Sequence, residues 1–237
     1  MCIRDSNNSF LMSKLNLFDT SHLIIVALCT LTIIFLPRFF IGTSEQTKRN
    51  FAIIVIVIMI INQATDFYRE GILDDWKLGL PLHLCDFSTF AAAAYLITKK
   101  RPFFVFAFFF GIAGAGMSIL TPDTFYGFPY VGYIQNQIGH TVIILVVSYA
   151  IIVEKERPYL KDVHQALFFA SVLLVFMYLI NYLLGPPANY WFLIEKPIGN
   201  NVTAFMRNEP FHIIDLYILA VIVCYLLYTP YLLKDRT

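Results

Sequence analysis

Seven apolar runs recur along the chain, each about 17–24 residues long, the length at which an α-helix crosses a bilayer. They predict helices over 21–41, 50–68, 80–97, 102–120, 134–153, 162–184 and 210–231. The breaks between runs coincide with helix breakers: Gly42, Gly71 and Gly79, Pro102, Pro122 and Pro129, Pro158, and Gly185-Pro186-Pro187, with Pro210 just inside the last run. No internal repeat and no low-complexity linker interrupts the pattern. The expected fold class is therefore all-α, a polytopic membrane protein with one bundle of about seven transmembrane helices. Its expected limits are an N-terminal tail over 1–20, the helical domain over 21–231 and a short cytoplasmic tail over 232–237.

Composition strengthens that reading. Of 237 residues 58% are hydrophobic and 14% charged, and the mean hydropathy is +0.68. A soluble domain of this length has too little interior to hide so much apolar surface. The net charge of +1 offers nothing to a nucleic acid. There is no GKT or GKS phosphate loop, so no soluble nucleotide cofactor is expected, and no other cofactor either. The opening MCIRDSNNSF is too polar for a signal peptide. It resembles translated adaptor sequence, so residues 1–11 are given no weight and Met12 is the expected start.

Charge then sets a direction. Eleven basic residues (Arg38, Lys48, Arg49, Lys99, Lys100, Arg101, Lys155, Arg157, Lys161, Lys234 and Arg236) fall on the side of the first loop. Six (Arg4, Lys14, Arg69, Lys77, Lys196 and Arg207) fall on the other, among Asp74, Asp75, Glu195 and Glu209. The positive-inside rule puts the N-terminus outside and the C-terminus in the cytoplasm. The expected location is a bacterial plasma membrane.

On that topology the polar residues of the spans gather at one level. Cys85 lies about 8 Å below the outer end of the third run and His140 about 9 Å below that of the fifth, at 1.5 Å per residue. His212 and Asp215 open the seventh run. Asn62, Gln63 and Asp66 close the second, and Asn181 comes near the end of the sixth. The inner halves are nearly pure Ile, Leu, Val, Phe and Ala. Ionisable groups in a span are costly and mark function, and a shared depth is what a site needs. Helical spacing sorts partners. His83 shares a face with Asp86, His212 with Asp215, and both Asn136 and Gln137 with His140. Cys85 points about 200° away from His83, from 3.6 residues per turn, so a base for its thiol is expected from another helix, His140 or His212.

Taken singly, many of these residues have a plainer reading. A buried His83, Asp66, Asn62, Gln63 or Asn181 serves as interhelical glue more often than as a catalyst. Cys29 and Cys224 behave as small hydrophobes. GIAGAG at 111–116 lies mid-span with no strand before it and reads as packing glycine, not a nucleotide loop, and AAAA at 91–94 as a close-packing face. KKR at 99–101 is a topology anchor first and a headgroup contact second. Asn201-Val202-Thr203 fits a glycosylation sequon.

The stretches PLHLCDFSTF (81–90), LTPDTFYGFP with a downstream histidine, and N…LG…NYWFL…KP over 181–197 resemble the YwaF-like family of intramembrane proteins, and the likeness runs from about residue 50 to the end. Most members are bacterial. A eukaryotic branch is described as a cysteine-dependent acyltransferase that builds polyunsaturated ether phospholipids. The resemblance implies that the cysteine of HLC, here Cys85, is the acyl-carrying nucleophile and that membrane phospholipids are the partners.

The chemistry is coherent with that implication. A thioester lets an acyl chain pass between two lipids without a soluble donor. A histidine oriented by a carboxylate, as His212 and Asp215 can arrange, supplies the base. Asn136, Gln137 or Asn181 are candidate donors to the oxyanion, and His83, Asp86 and Asp66 candidate supports. Two other classes compete. His83, Asp86, His140, His212 and Asp215 form a nitrogen–oxygen set suited to zinc or iron, although no HxxxH or HExxH supports it and the expected metal is none. A scaffold or transporter-like protein is the other, though no pair of short repeat-related spans supports a transporter. Oligomeric state is not legible.

Overall fold

The computed structural model describes residues 14–196 and 205–235. Arg4, Cys2, the start at Met12, the sequon at 201–203 and Arg236 lie outside the described residues, as does the side chain of Lys234. The described residues form seven long helices and no sheet: α1 Thr20–Phe40, α2 Glu45–Ile72, α3 Leu84–Thr98, α4 Arg101–Leu120, α5 Val131–Ile152, α6 Leu160–Leu184 and α7 His212–Asp235. All but α3 are long and apolar enough to cross a membrane. The chain is an all-α polytopic membrane protein, as the apolar runs predict.

α5 is the central helix. Tyr133, Gln137, Ile143, Val146, Val147, Tyr149 and Ala150 on it are all buried. α1 is bolted to it: His22 bonds Tyr133 Oη (2.8 Å) and the Leu120 carbonyl (3.1 Å), and Ser148 Oγ donates to the Ile33 carbonyl (2.8 Å). α6 and α7 meet through His164–Tyr225 and Ser171–Tyr217 contacts, each 3.0 Å. Their outer faces expose Phe168, Val175, Phe176, Ile218, Ile222 and Leu226. An apolar surface of that extent belongs against lipid tails.

Two faces result. Residues 14–19 and the stretches 73–83, 121–130, 185–196 and 205–211 share one, the N-terminal face: Leu15 N donates to the Phe125 carbonyl, and Lys77 Nζ to that of Pro186. The other, basic face carries Lys99–Glu154 (2.8 Å), Arg101–Glu156 (3.1 Å) and a close Arg101–Asp162 pair. The interior just above the basic face is dense with apolar and aromatic side chains, including Phe51 stacked on Tyr149 at 4.8 Å and Phe104, Phe108 and Phe109.

The third span departs most from expectation. α3 starts at Leu84, four residues later than the apolar run implies, and has 15 residues. His83 has extended geometry and its backbone N–H donates to Asp86 Oδ2 at 2.7 Å, which ends the helix there. Residues 80–83 continue as irregular chain, which survives among apolar surroundings only if its polar groups are met by protein. The 185–196 connection meets them. Tyr190 Oη donates to the Lys77 carbonyl (2.5 Å) and accepts from Leu80 N–H (3.1 Å), and Trp191 Nε1 donates to the Leu82 carbonyl (2.9 Å). Cys85 is thus in the first turn of a short helix rather than well inside a long one. α5 starts at Val131, three residues earlier than expected, so His140 is about 4.5 Å further from the helix start than the sequence places it, at 1.5 Å per residue.

Candidate functional site

Close contacts between glycines and side chains fix the register of α3, α4 and α5. A β-carbon built on Gly111 of α4 would meet Ile143 of α5 at 2.8 Å and Ser88 of α3 at 3.7 Å. One turn nearer the N-terminal face on all three helices lie Gly114, His140 and Cys85, because α4 runs opposite to the other two. A β-carbon on Gly114 would come within 3.2 Å of Cys85 Sγ. The missing side chain at 114 is what leaves room for the thiol. A π-helical turn at Ala107–Gly111 precedes this stretch of α4. Such turns rotate the helix beyond them and are frequent at functional sites, and here the turn re-aims Gly111 and Gly114.

The histidines differ in what holds them. His140 Nδ1 lies 2.7 Å from the Asn136 carbonyl. A carbonyl only accepts, so Nδ1 carries the proton and Nε2 presents its lone pair. His212, fully buried, has Nε2 bonded to the Phe192 carbonyl at 2.8 Å, and its Nδ1 has no partner among the described residues. His83 packs edge-on against Tyr190, ring centroids 4.8 Å apart, and lies within electrostatic reach of His140.

Other expected partnerships are not made. Asp215 does not bond His212: Arg207 holds it by its backbone N–H (2.8 Å), Nε (3.0 Å) and Nη2 (2.6 Å). Spacing put histidine and carboxylate on one face, but a guanidinium eight residues back offers a forked, charge-assisted pair that a neutral imidazole does not match. Asp86 accepts from the His83 backbone and from the Gln63 side chain, not from the His83 ring. Asp66 accepts from Gln135 Nε2 at 3.0 Å, and Gln135 Oε1 accepts from Arg69 at 2.8 Å.

The three candidate oxyanion donors all hold backbone. Asn136 Nδ2 donates to the Ser118 carbonyl (3.1 Å) while its Oδ1 accepts from Ser118 Oγ (2.9 Å). Gln137 Nε2 donates to the Ile119 carbonyl (3.2 Å). Asn181 pairs both ways with the Tyr190 backbone at 2.8 Å. Asn136 and Gln137 satisfy carbonyls at the frayed end of α4, and Asn181 fixes the 185–196 connection. Among the described residues no three His, Cys, Asp or Glu side chains come together as a metal site would require, and His83, Asp86, His140, His212 and Asp215 are dispersed among other partners.

Three residues were not singled out from the sequence as part of the site. Gly114 reads there only as one of several packing glycines, and Arg207 only as a loop charge. Gln135, the hub between Asp66 and Arg69, went unnoticed; a glutamine facing an arginine at a span end is the signal that marks it.

An all-helical membrane protein that sets a thiol and a tautomer-fixed imidazole at one level, beneath a strap of buried amides, belongs to the class of intramembrane proteins with a polar layer inside the bundle. The profile of the TMEM164 family matches residues 17–228, nearly the whole chain, and the protein belongs to that family. No curated protein and no solved structure matches it.

Proposed function

We propose that the protein is a YwaF-like intramembrane transacylase that moves an acyl chain between phospholipids through a thioester on Cys85. His140 is its base. The observation that carries this reading is the Cys85–Gly114 contact, which by helical register brings the thiol level with a histidine whose free nitrogen is Nε2. Membership of the TMEM164 family supports the same chemistry.

In the first half-reaction His140 Nε2 takes the Cys85 proton and the sulfur attacks the ester carbonyl of a membrane phospholipid. The ester C–O bond breaks, the leaving lysolipid oxygen takes the proton back from His140, and the acyl chain stays on sulfur. In the second half a hydroxyl of another lipid gives its proton to His140, attacks the thioester, and the thiol re-forms. His212 supports the site through Phe192, and Asn136 holds both the end of α4 and the His140 ring. With the N-terminal face outward, as the charge bias argues, this occurs in the outer half of a bacterial plasma membrane, at the depth of glycerol esters.

Lipid mass spectrometry of membranes carrying the wild type beside Cys85→Ser tests it. The expected result is a redistribution of acyl chains among phospholipids that the serine variant lacks. Identical profiles from equally abundant proteins favour a scaffold, a reading to which the backbone-holding roles of Asn136, Gln137 and Asn181 lend weight.

A further inference from the structure

Two apolar grooves of nearly equal size flank α3, about 390 Å³ between α2 and α3 and about 410 Å³ between α3, α4 and α6. Helical geometry separates them with respect to the thiol. At about 100° per residue, Thr89 and Ala93 of the first groove lie roughly 40° and 80° around α3 from Cys85, while Phe87, Ala91 and Ala94 of the second lie roughly 160–180° or 120° away. Phe90 is the wall between them.

Their polar residues differ in the same sense. In the α2–α3 groove these are Gln63, whose side chain bonds Asp86, and Thr89, whose hydroxyl donates to the Cys85 carbonyl at 2.9 Å. Both tie the groove to the first turns of α3. The polar residue of the other groove is Gln165, beside Pro102, near the basic face. Beyond its polar end the α2–α3 groove is lined by apolar side chains such as Ile56, Met59, Ile60 and Ala93. It extends from Phe67 to Ile56, about 16 Å along α2 at 1.5 Å per residue. α2 is long and apolar enough to cross a membrane, so the chemistry that fits this apolar lining along it is a lipid tail.

Resting on the acyl-transfer reading, we propose that the α2–α3 groove seats the acyl chain being transferred, with its carbonyl at Cys85 and its methyl end toward Ile56 and Ala93, and that the depth of this groove selects chain length. The groove between α3, α4 and α6 holds bulk lipid and has no part in selection. The covalent step is the one already described: the S–C bond forms as the lipid ester C–O bond breaks.

The test uses the full-length chain in nanodiscs made from phosphatidylcholines with short, medium and long acyl chains in equal amounts. Intact-protein mass spectrometry reads the chain carried on Cys85. Ala93→Phe fills the deep end of the α2–α3 groove, and Ile60→Trp narrows it from an exposed position on α2, where folding is least at risk. Ala94→Phe fills the opposite groove. The ratio of long to short chains on Cys85 is expected to fall about tenfold in the first two variants, the scale at which a hydrophobic pocket discriminates methylenes, and to stay unchanged in Ala94→Phe. An unchanged ratio in both α2–α3 variants, or an equal shift in Ala94→Phe, overturns the groove assignment while leaving the thioester intact. A wild-type protein that carries no chain on Cys85 overturns the acyl-transfer reading, and the groove assignment with it.

Discussion

The two ends of the bundle handle polarity in opposite ways. At the basic face, ionic groups pair with one another across short connections: Lys99 with Glu154, and Arg101 with Glu156 and Asp162. The aromatic core lies directly above them. At the N-terminal face, beside the single Arg207–Asp215 ion pair among the described residues, neutral amides and phenols pair with backbone: Asn136 with Ser118, Gln137 with Ile119, Asn181 with Tyr190, and Tyr190 with Lys77 and Leu80. The basic end closes α1 with a 3-10 turn at Leu36–Phe40, and α2 and α6 start there as regular α-helix. The other end contains irregular chain at 80–83, a π-helical turn closing α2 and a short α3. Irregular backbone exposes N–H and C=O groups that only side chains can satisfy. Once those side chains are committed, the polar groups left over are few, and among them are the lone pairs of His140 and His212 and the Cys85 thiol. A polar layer in a membrane protein is thus two populations: groups that repair the backbone and groups left available for chemistry.

The largest expected effect separates those populations. Cys85→Ala should remove acyl transfer completely while thermal unfolding in detergent stays where it was, since the thiol repairs no backbone. A variant that is inactive only because it unfolds erases the distinction. Next in size, His140→Ala should slow transfer by about 10²–10⁴-fold, the range for loss of a general base. In the wild type a lipophilic thiol reagent should label Cys85 faster than Cys29 or Cys224 at neutral pH, and in His140→Ala that difference should disappear. His212→Ala labelled as slowly as His140→Ala would move the base to the other histidine.

Asn181→Leu sharpens the opposite side of the comparison. It strips both partners from the Tyr190 backbone, each buried orphan costing about 1–3 kcal/mol. We expect a clear loss of stability in denaturant titration, with the ring packing of His83 on Tyr190 disturbed as well. The smallest effect belongs to the basic face. Burial pushes the Glu154 carboxyl up, but the hydrogen bond and charge of Lys99 outweigh it and hold the group below its ordinary value of 4.5. A depressed carboxyl contributes stability above its unfolded value and loses it as pH falls through the folded one, so this contribution fades below about pH 4.5. Because the pair is partly exposed it contributes about 0–1 kcal/mol. Glu154→Gln should lower the melting temperature slightly at neutral pH and flatten that part of the acid dependence.

Much of the fold is legible in the chain. Apolar runs of spanning length allow only helices in a bilayer, because no water is there to satisfy an open backbone, so seven helices and their breaks at Gly42, Pro122 and Pro158 followed from composition and local chemistry alone. The same logic picked out Cys85, His140 and His212 as polar residues at odds with their surroundings. Partners were a different matter. Residues three or four apart share a helix face, yet Asp215 turned to Arg207, Asp86 to a backbone amide, and Asn136, Gln137 and Asn181 to carbonyls and amides of other segments. Periodicity says which way a side chain points; only the packed bundle says what waits there. The start of α3 shows the same limit. Leu80–His83 is apolar enough to be helix, and what makes it irregular chain instead is a tyrosine and a tryptophan more than a hundred residues away that satisfy its backbone. Sequence fixes the cost of burying each group, because that is a property of the residue, whereas the compensation depends on which distant groups the fold brings within 3 Å.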